Sequence, residues 1–248
     1  MSNYSLIVPV YNEEKIIQDT VSSVTEYADY IKNTRGIGID VIFLDDGSTD
    51  FTPNILDNLV NVEGYDIKVI HDNGPSRREN LVKQMLNTNT KYVGFMDCDL
   101  ATDINDLENL ITNIPNYDIV TGDRYAPSSN VDRSIDRKII SVAFNYSMRQ
   151  MFGSKMRDHE CGFKMFKKDS LEKIVEHTGY GDDYKERKMF WDTEMLVYAQ
   201  KMGYKILEVP VNWKAGKKSA LRFKTELSMI PYILKFWYDG KWKLPEDK

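Results

Sequence analysis

Lys91-Tyr92-Val93-Gly94-Phe95-Met96-Asp97-Cys98-Asp99 is an apolar run that ends in two acids one residue apart. Such a run, bounded by polar residues, is what a strand buried on both faces looks like. In an open α/β sheet, ligands bind at the carboxyl ends of the strands. Two carboxylates there suit a divalent cation held against a diphosphate. Mg2+ and Mn2+ take hard oxygen ligands and share them between carboxylates and phosphates. The pattern recurs. Residues 41–44 run into Asp45-Asp46-Gly47-Ser48, and Leu6-Ile7-Val8-Pro9-Val10 runs into Tyr11-Asn12-Glu13-Glu14. Core packing does not explain three acidic strand ends.

Working outward, strand-like runs at 6–10, 41–44, 67–70, 92–96 and 119–121 alternate with helical spacing over 13–32, 52–60, 77–86 and 104–114. Thr52-Pro53 reads as a helix N-cap followed by proline at the first helical position. The rhythm predicts an α/β fold, a mostly parallel sheet with helices on both faces. Right-handed crossovers then gather the strand carboxyl ends on one edge. Further on, 134–152 reads as a long helix, 162–166 as a short strand and 191–202 as a helix. Residues 205–213 read as a strand at an edge, because Pro210 interrupts it.

The 248 residues suffice for one large α/β domain, and 42% hydrophobic with 29% charged residues is ordinary for a globule. A net charge of −5 argues against a nucleic-acid binder. From residue 201 onward there are 11 basic and 5 acidic residues, net +6, so residues 1–200 carry −11. A basic tail on an acidic body suits an anionic partner, a phosphate or a membrane surface. Cys98 and Cys161 imply no disulfide framework and read as buried thiols in a reduced, cytoplasmic setting. No apolar run reaches the ~18 residues of a membrane span. The chain enters a strand almost at once, leaving no room for a signal peptide. His71, His159 and His177 lack ligand spacing, so neither zinc nor a histidine nucleophile is expected.

Val8-Pro9-Val10-Tyr11-Asn12-Glu13-Glu14, Asp45-Asp46-Gly47-Ser48-Thr49-Asp50 and Asp97-Cys98-Asp99, in this order and spacing, resemble the family 2 glycosyltransferases of GT-A fold. Arg157-Asp158-His159-Glu160-Cys161-Gly162-Phe163-Lys164-Met165-Phe166 is similar to the acceptor-side motif of polyprenyl-phosphate sugar synthases, nearest the dolichyl-phosphate glucose synthase branch. Phe190-Trp191-Asp192-Thr193-Glu194-Met195 and Glu208-Val209-Pro210-Val211-Asn212-Trp213 fit that branch. The resemblance runs from about Ser5 to Phe223. It implies a single Rossmann-like GT-A domain, with a nucleotide-sugar half (1–124), an acceptor half (125–222) and an amphipathic tail (223–248). The implied activity is inverting sugar transfer from a nucleotide diphosphate sugar, UDP favoured, to a polyprenyl (dolichyl) phosphate, with Mg2+ or Mn2+. Its implied purpose is glycan assembly.

The resemblance also distributes roles. Asp46, or its neighbour Asp45, reads the base or ribose, and Pro9, Tyr11 and Glu13 line the same pocket. Asp97 lies near ribose and metal; Asp99 ligates the metal. Arg124, in Gly122-Asp123-Arg124, faces the diphosphate. Lys217, Lys218 and Arg222 belong to a loop that closes over the donor. Plainer readings stand beside these. Asp45 and Asp46 also fit an Asx-turn before Gly47-Ser48, the lysines a solvated charge run, and Asp192 and Glu194 a helix N-terminus.

Departure of the diphosphate builds negative charge, so catalysis is mainly electrostatic. A phosphate acceptor is already anionic and needs little base. A hydroxyl acceptor would need one of Asp158, Asp192 or Glu194 as base. Arg133, Arg137 and Lys138 are candidates for holding an acceptor phosphate, though each alone also fits a surface charge.

The chain departs from the family pattern in places. Asn73-Gly74-Pro75-Ser76-Arg77-Arg78 stands where relatives carry a Gly-Lys-Gly turn, with Arg77 or Arg78 as substitute for the lysine. Ala101 stands where mannose-type synthases carry Gln, and Glu160 where Gln is frequent. In the tail, Phe223, Leu227, Ile230, Leu234 and Trp237 form one apolar face, and Met229, Ile233 and Phe236 a second. One face should pack on the body and the other meet lipid or a partner. Lys224, Lys235, Lys241 and Lys243 with Trp237, Tyr238 and Trp242 suit a membrane interface, peripheral and on the cytoplasmic side. Two rival readings are a family 2 transferase acting on a sugar or polymer hydroxyl and a non-catalytic nucleotide-sugar binder.

Overall fold

In the computed structural model, successive strand side chains part to opposite faces, as the two-residue period of a strand requires. Along β1 (Tyr4–Val10), Leu6, Val8 and Val10 enter one apolar cluster and Ile7 the other. Along β2 (Ile39–Asp45), Val41 and Phe43 take the first face, Ile42 and Leu44 the second. The structure describes residues 2–60, 62, 64, 66–76, 78–179, 182–215 and 222–244, with backbone alone for 182–185 and 222–227.

α1 (Ile17–Arg35), α2 (Thr52–Val60), β3 (Ile67–His71), α3 (Glu79–Asn87) and β4 (Tyr92–Met96) complete the alternating first half. Next come a 3₁₀ turn (Ile104–Asp106), α4 (Leu107–Asn113), a second 3₁₀ turn (Ile114–Asn116), β5 (Ile119–Asp123) and β6 (Asn130–Asp132). The rest comprises α5 (Ile135–Phe152), β7 (Phe163–Lys167), α6 (Lys168–Thr178), a 3₁₀ segment (Asp182–Phe190), α7 (Trp191–Lys201), β8 (Ile206–Pro210), β9 (Asn212–Lys214) and α8 (Arg222–Tyr238). The seven-stranded sheet has the order β3-β2-β1-β4-β7-β5-β8. Only β7 runs antiparallel to its neighbours. The strand ends of β1, β2, β4 and β5 therefore share one edge, as expected. α1, α2 and α4 cover one face; α3, α5, α6, α7 and α8 cover the other.

Several local expectations are corrected. The helix expected from Glu13 begins at Ile17. Asn12 is left-handed at φ 55°, and the Glu13 and Glu14 N–H groups donate to Thr52 Oγ1 and Asp50 Oδ2 at 2.9 and 3.2 Å. These loop bonds take donors that a first helical turn would leave open. The Thr52 hydroxyl is thus spent across the site; Asp50 Oδ1 instead accepts from the Thr52 N–H at 3.0 Å. The strand expected over 205–213 breaks after Pro210. β8 is the sheet edge, and after buried Val211 the chain enters β9, which pairs with β6 in a separate two-stranded sheet. The helix expected over 104–114 is split, its first turn tightened by Asp103, which accepts from the Asn105 N–H at 2.9 Å.

Candidate active site

The edge where β1, β2, β4 and β5 end collects most of the residues singled out by sequence. Tyr11 is exposed beyond Pro9 at the end of β1. Asp45, buried at the end of β2, accepts from the Ser48 N–H at 3.0 Å, three residues on and so one further than an Asx-turn spans, and pairs with His71 Nδ1 at 2.9 Å. That bond raises the His71 pKa. Asp46 faces the loop after β3. It accepts from the Ser76 N–H at 2.8 Å, the Ser76 hydroxyl at 3.0 Å and Asn80 Nδ2 at 2.6 Å. This approach needs Gly74, where a Cβ would stand 2.0 Å from the Asp46 carbonyl oxygen.

Asp97 and Asp99 follow β4. Asp97 is half-buried and Asp99 exposed, with Asp99 Oδ1 accepting from the Ala101 N–H at 3.1 Å. Gly162 lets Asp97 lie against β7, since a Cβ there would meet Asp97 Oδ2 at 2.0 Å. No group of three or more metal-ligating side chains occurs among the described residues. Two hard carboxylates fit a cation that draws its remaining oxygens from a phosphate-bearing ligand and water.

On the other side of the edge, Arg124 grips Asp158 with Nε–Oδ2 at 2.7 Å and Nη2–Oδ1 at 2.8 Å. Both are buried, and Arg124 holds the Asp158 carboxyl below its usual range despite the opposing effect of burial. Asp158 is set in turn by Glu208, whose Oε1 accepts from the N–H groups of Arg157 and Asp158 at 2.8 and 2.9 Å. The guanidinium of Arg124 lies 5.8 Å from the Trp213 ring centroid and that of Arg133 lies 5.4 Å away. One indole thus gathers two predicted phosphate-side arginines. Pairing of Val131 with Trp213 in the small sheet creates this meeting. Arg137 and Lys138 follow in the first turn of α5.

Asp192 and Glu194, at the start of α7, are interior. Asp192 Oδ1 accepts from Lys164 Nζ at 3.1 Å and Oδ2 from Arg78 Nε at 2.9 Å. Burial opposes its ionisation, yet the two cations hold its pKa below the usual range. Glu194 Oε2 accepts from the Tyr232 hydroxyl at 3.2 Å and lies 3.7 Å from Arg187 Nη1. Burial pushes Glu194 up to about 7. Lys217, Lys218 and the Arg222 side chain lie outside the described residues, as does Arg77. Cys98 and Cys161 are free and buried, and burial pushes both thiols up to about 12.

Sequence reasoning missed Lys164, Arg187 and the aromatic role of Trp213. A lysine inside Phe163-Lys164-Met165-Phe166 was the available sign, because a charge within an apolar strand needs a buried counter-ion.

The model of the family described as glycosyl transferase family 2 matches residues 5–175, which span this whole donor edge and reach through β7. The chain belongs to glycosyl transferase family 2. This family 2 chain is 34% identical over 238 residues to glycosyltransferase AglD of Haloferax volcanii, covering 94% of this chain and 37% of that protein. It therefore spans little more than a third of AglD. It is 28% identical over 261 residues to the dolichyl-phosphate beta-glucosyltransferase of Dictyostelium discoideum, covering 97% and 76%. With the protein of that name from Saccharomyces cerevisiae it shares 26% over 267 residues, covering 96% and 77%. Among solved structures, glucosyl-3-phosphoglycerate synthase from Mycobacterium tuberculosis, in complex with Mn2+, UDP and glucosyl-3-phosphoglycerate, matches in fold. The TM-score is 0.65 at 17% identity, covering 94% of this chain and 79% of that one. A mannosyltransferase from Pyrobaculum calidifontis with GDP-Man and Mn2+ gives 0.60 at 19%, covering 94% and 63%.

Proposed function

We propose that the protein transfers a sugar from a nucleotide diphosphate sugar, UDP favoured, to a polyprenyl (dolichyl) phosphate, with inversion and for glycan assembly. One observation carries the choice of acceptor. A hydroxyl acceptor requires a carboxylate base within its reach, and all three candidates are buried as well as engaged. Asp158 is forked by Arg124, Asp192 is clamped by Arg78 and Lys164, and Glu194 is buried against Tyr232 and Arg187. A phosphate oxygen brings its own negative charge and needs no such base. These acids then act by holding cations in place.

In this reading Asp97 and Asp99 hold Mg2+ or Mn2+. The ion supplies charge stabilisation to the departing diphosphate. Pro9, Tyr11, Glu13, Asp45 and Asp46 flank the nucleoside. Arg124, fixed by Asp158, and Arg222 serve the phosphates, and Arg133, Arg137 and Lys138 receive the acceptor phosphate. α5 adds support. Ile135, Ile139, Val142 and Tyr146 form an exposed apolar stripe that starts beside these basic residues, as an isoprenoid chain would require. No helix among the described residues is long and apolar enough to cross a membrane. Contact with a bilayer's cytoplasmic face would fall to the exposed side of α8, with Ile230, Leu234, Trp237 and Tyr238.

A radiolabelled transfer assay tests the reading. Protein, Mn2+ or Mg2+ and a short polyprenyl phosphate are offered UDP- and GDP-sugars separately. Label should enter the organic phase and fall about a hundredfold or more in Asp99→Ala, the scale of losing several kcal/mol of metal stabilisation. Transfer to a sugar hydroxyl and not to the lipid would sink the proposed acceptor.

A further inference from the structure

Beneath the strand ends lies a buried charge cluster. Lys164 stands in β7 opposite Phe95 of β4 and is fully buried. Its Nζ donates to Asp192 and to the Cys161 carbonyl. Arg78, 4% exposed at the N-terminus of α3, donates to the other Asp192 oxygen. Both cations lie over the Phe95 ring, Arg78 at 4.8 Å and Lys164 at 5.6 Å from its centroid. Two cations about one carboxylate leave one positive charge in excess. Charge in such a place is weakly screened and needs an answering group. The free edge of the Arg78 guanidinium turns to Asp97, with Nη2 3.8 Å from Oδ1. The charge of Glu160 also acts on it.

We propose that Arg78 is a positioning residue for the donor. Clamped by Asp192 against Phe95, it orients the Asp97 carboxylate and sets a fixed positive potential beneath the donor diphosphate. The inference rests on the reading of Asp97 as a donor-side ligand. Arg78 is too buried to touch substrate itself, so it acts through Asp97. Arginine suits the place because its planar fork serves two carboxylates at once, which an ammonium does not. The cluster also joins the halves of the chain, since Asp192 and Lys164 belong to the acceptor half and Asp97 to the nucleotide half.

The test is Mn2+-dependent binding of UDP and of GDP to the full chain, measured by calorimetry, with thermal melting beside it. Arg78→Gln keeps an amide donor for Asp192 and leaves the Asp192–Lys164 pair neutral. We expect its nucleotide affinity to fall about tenfold, the lower end of what loss of a partner behind a metal ligand costs. Should that variant not fold, Arg78→Lys carries the same expectation, because it keeps the charge and gives up the fork. Affinity within twofold of wild type, with only the melting temperature lowered, would overturn the proposal and leave Arg78 a structural ion pair. Wild-type protein that binds neither nucleotide with Mn2+ would overturn the donor reading itself, and this inference with it.

Discussion

Asp158 lies against Arg124 and Asp123 against Arg157, with Glu208 beneath them holding two backbone N–H groups. Breaking one partner of a buried pair strands the other's charge. Asp158→Asn should therefore cost on the order of 3–5 kcal/mol in denaturant unfolding, besides loosening Arg124. Exposed Asp19, in the first turn of α1, gives the contrast: Asp19→Asn should lose at most about 1 kcal/mol, the worth of an acid at a helix N-terminus. Glu194 and Glu208 make a pH prediction. Burial raises both from an ordinary 4.5 to about 7. The folded state thus binds more protons than the unfolded one between those values. The contribution of these two acids to stability is full below about pH 4.5 and is lost as pH rises to about 7. Glu194→Gln should flatten that part of the profile in thermal melts between pH 5 and 8; an unchanged slope would argue against the buried acid as its source. These pairings were not legible in the sequence. Asp192 and Glu194 read equally as a helix N-terminus, and nothing local says that Arg78, over a hundred residues away, answers one of them.

At the scale of elements, α8 shows how far periodicity reaches. Spacing foretold two apolar faces, and Met229, Ile233 and Phe236 do pack on the body while Ile230, Leu234 and Trp237 stay exposed. Phe236 meets Phe152, Phe190, Tyr198 and Tyr232 at ring-centroid distances of 5.6, 5.7, 6.1 and 6.2 Å. Phe236→Ala should cost about 3–5 kcal/mol, whereas Leu234→Ala should stay within about 0.5 kcal/mol. Comparable losses from both would mean that the outer face is also covered. Which face packs was not readable, because both are apolar and only the partner surface chooses. α6 went unread although Leu171, Ile174, Val175 and Thr178 have helical spacing and are buried. Its run follows β7 directly, with no glycine or proline to mark a boundary.

Across the whole molecule, an acidic body ends in a basic segment, and α5 and α8 each carry an exposed apolar stripe. Vesicles containing anionic lipid should sediment the protein at low salt, and 1 M salt should release much of it, where screening falls to ~3 Å. Protein left in the supernatant at low salt would count against a membrane face. The sequence alone determined the α/β class, the strands that end in acids and the shared edge where they gather. Those follow from two-residue and 3.6-residue periodicity and from right-handed crossovers, all local or topological rules. Tertiary structure decided the rest. It set β7 antiparallel between β4 and β5, moved the chain after Pro210 into a second sheet, and brought Arg124 and Arg133 to Trp213. It also buried the three candidate bases beside cationic side chains. Pairing register and burial are properties of distant segments meeting, and a carboxylate's chemistry is fixed by what it meets.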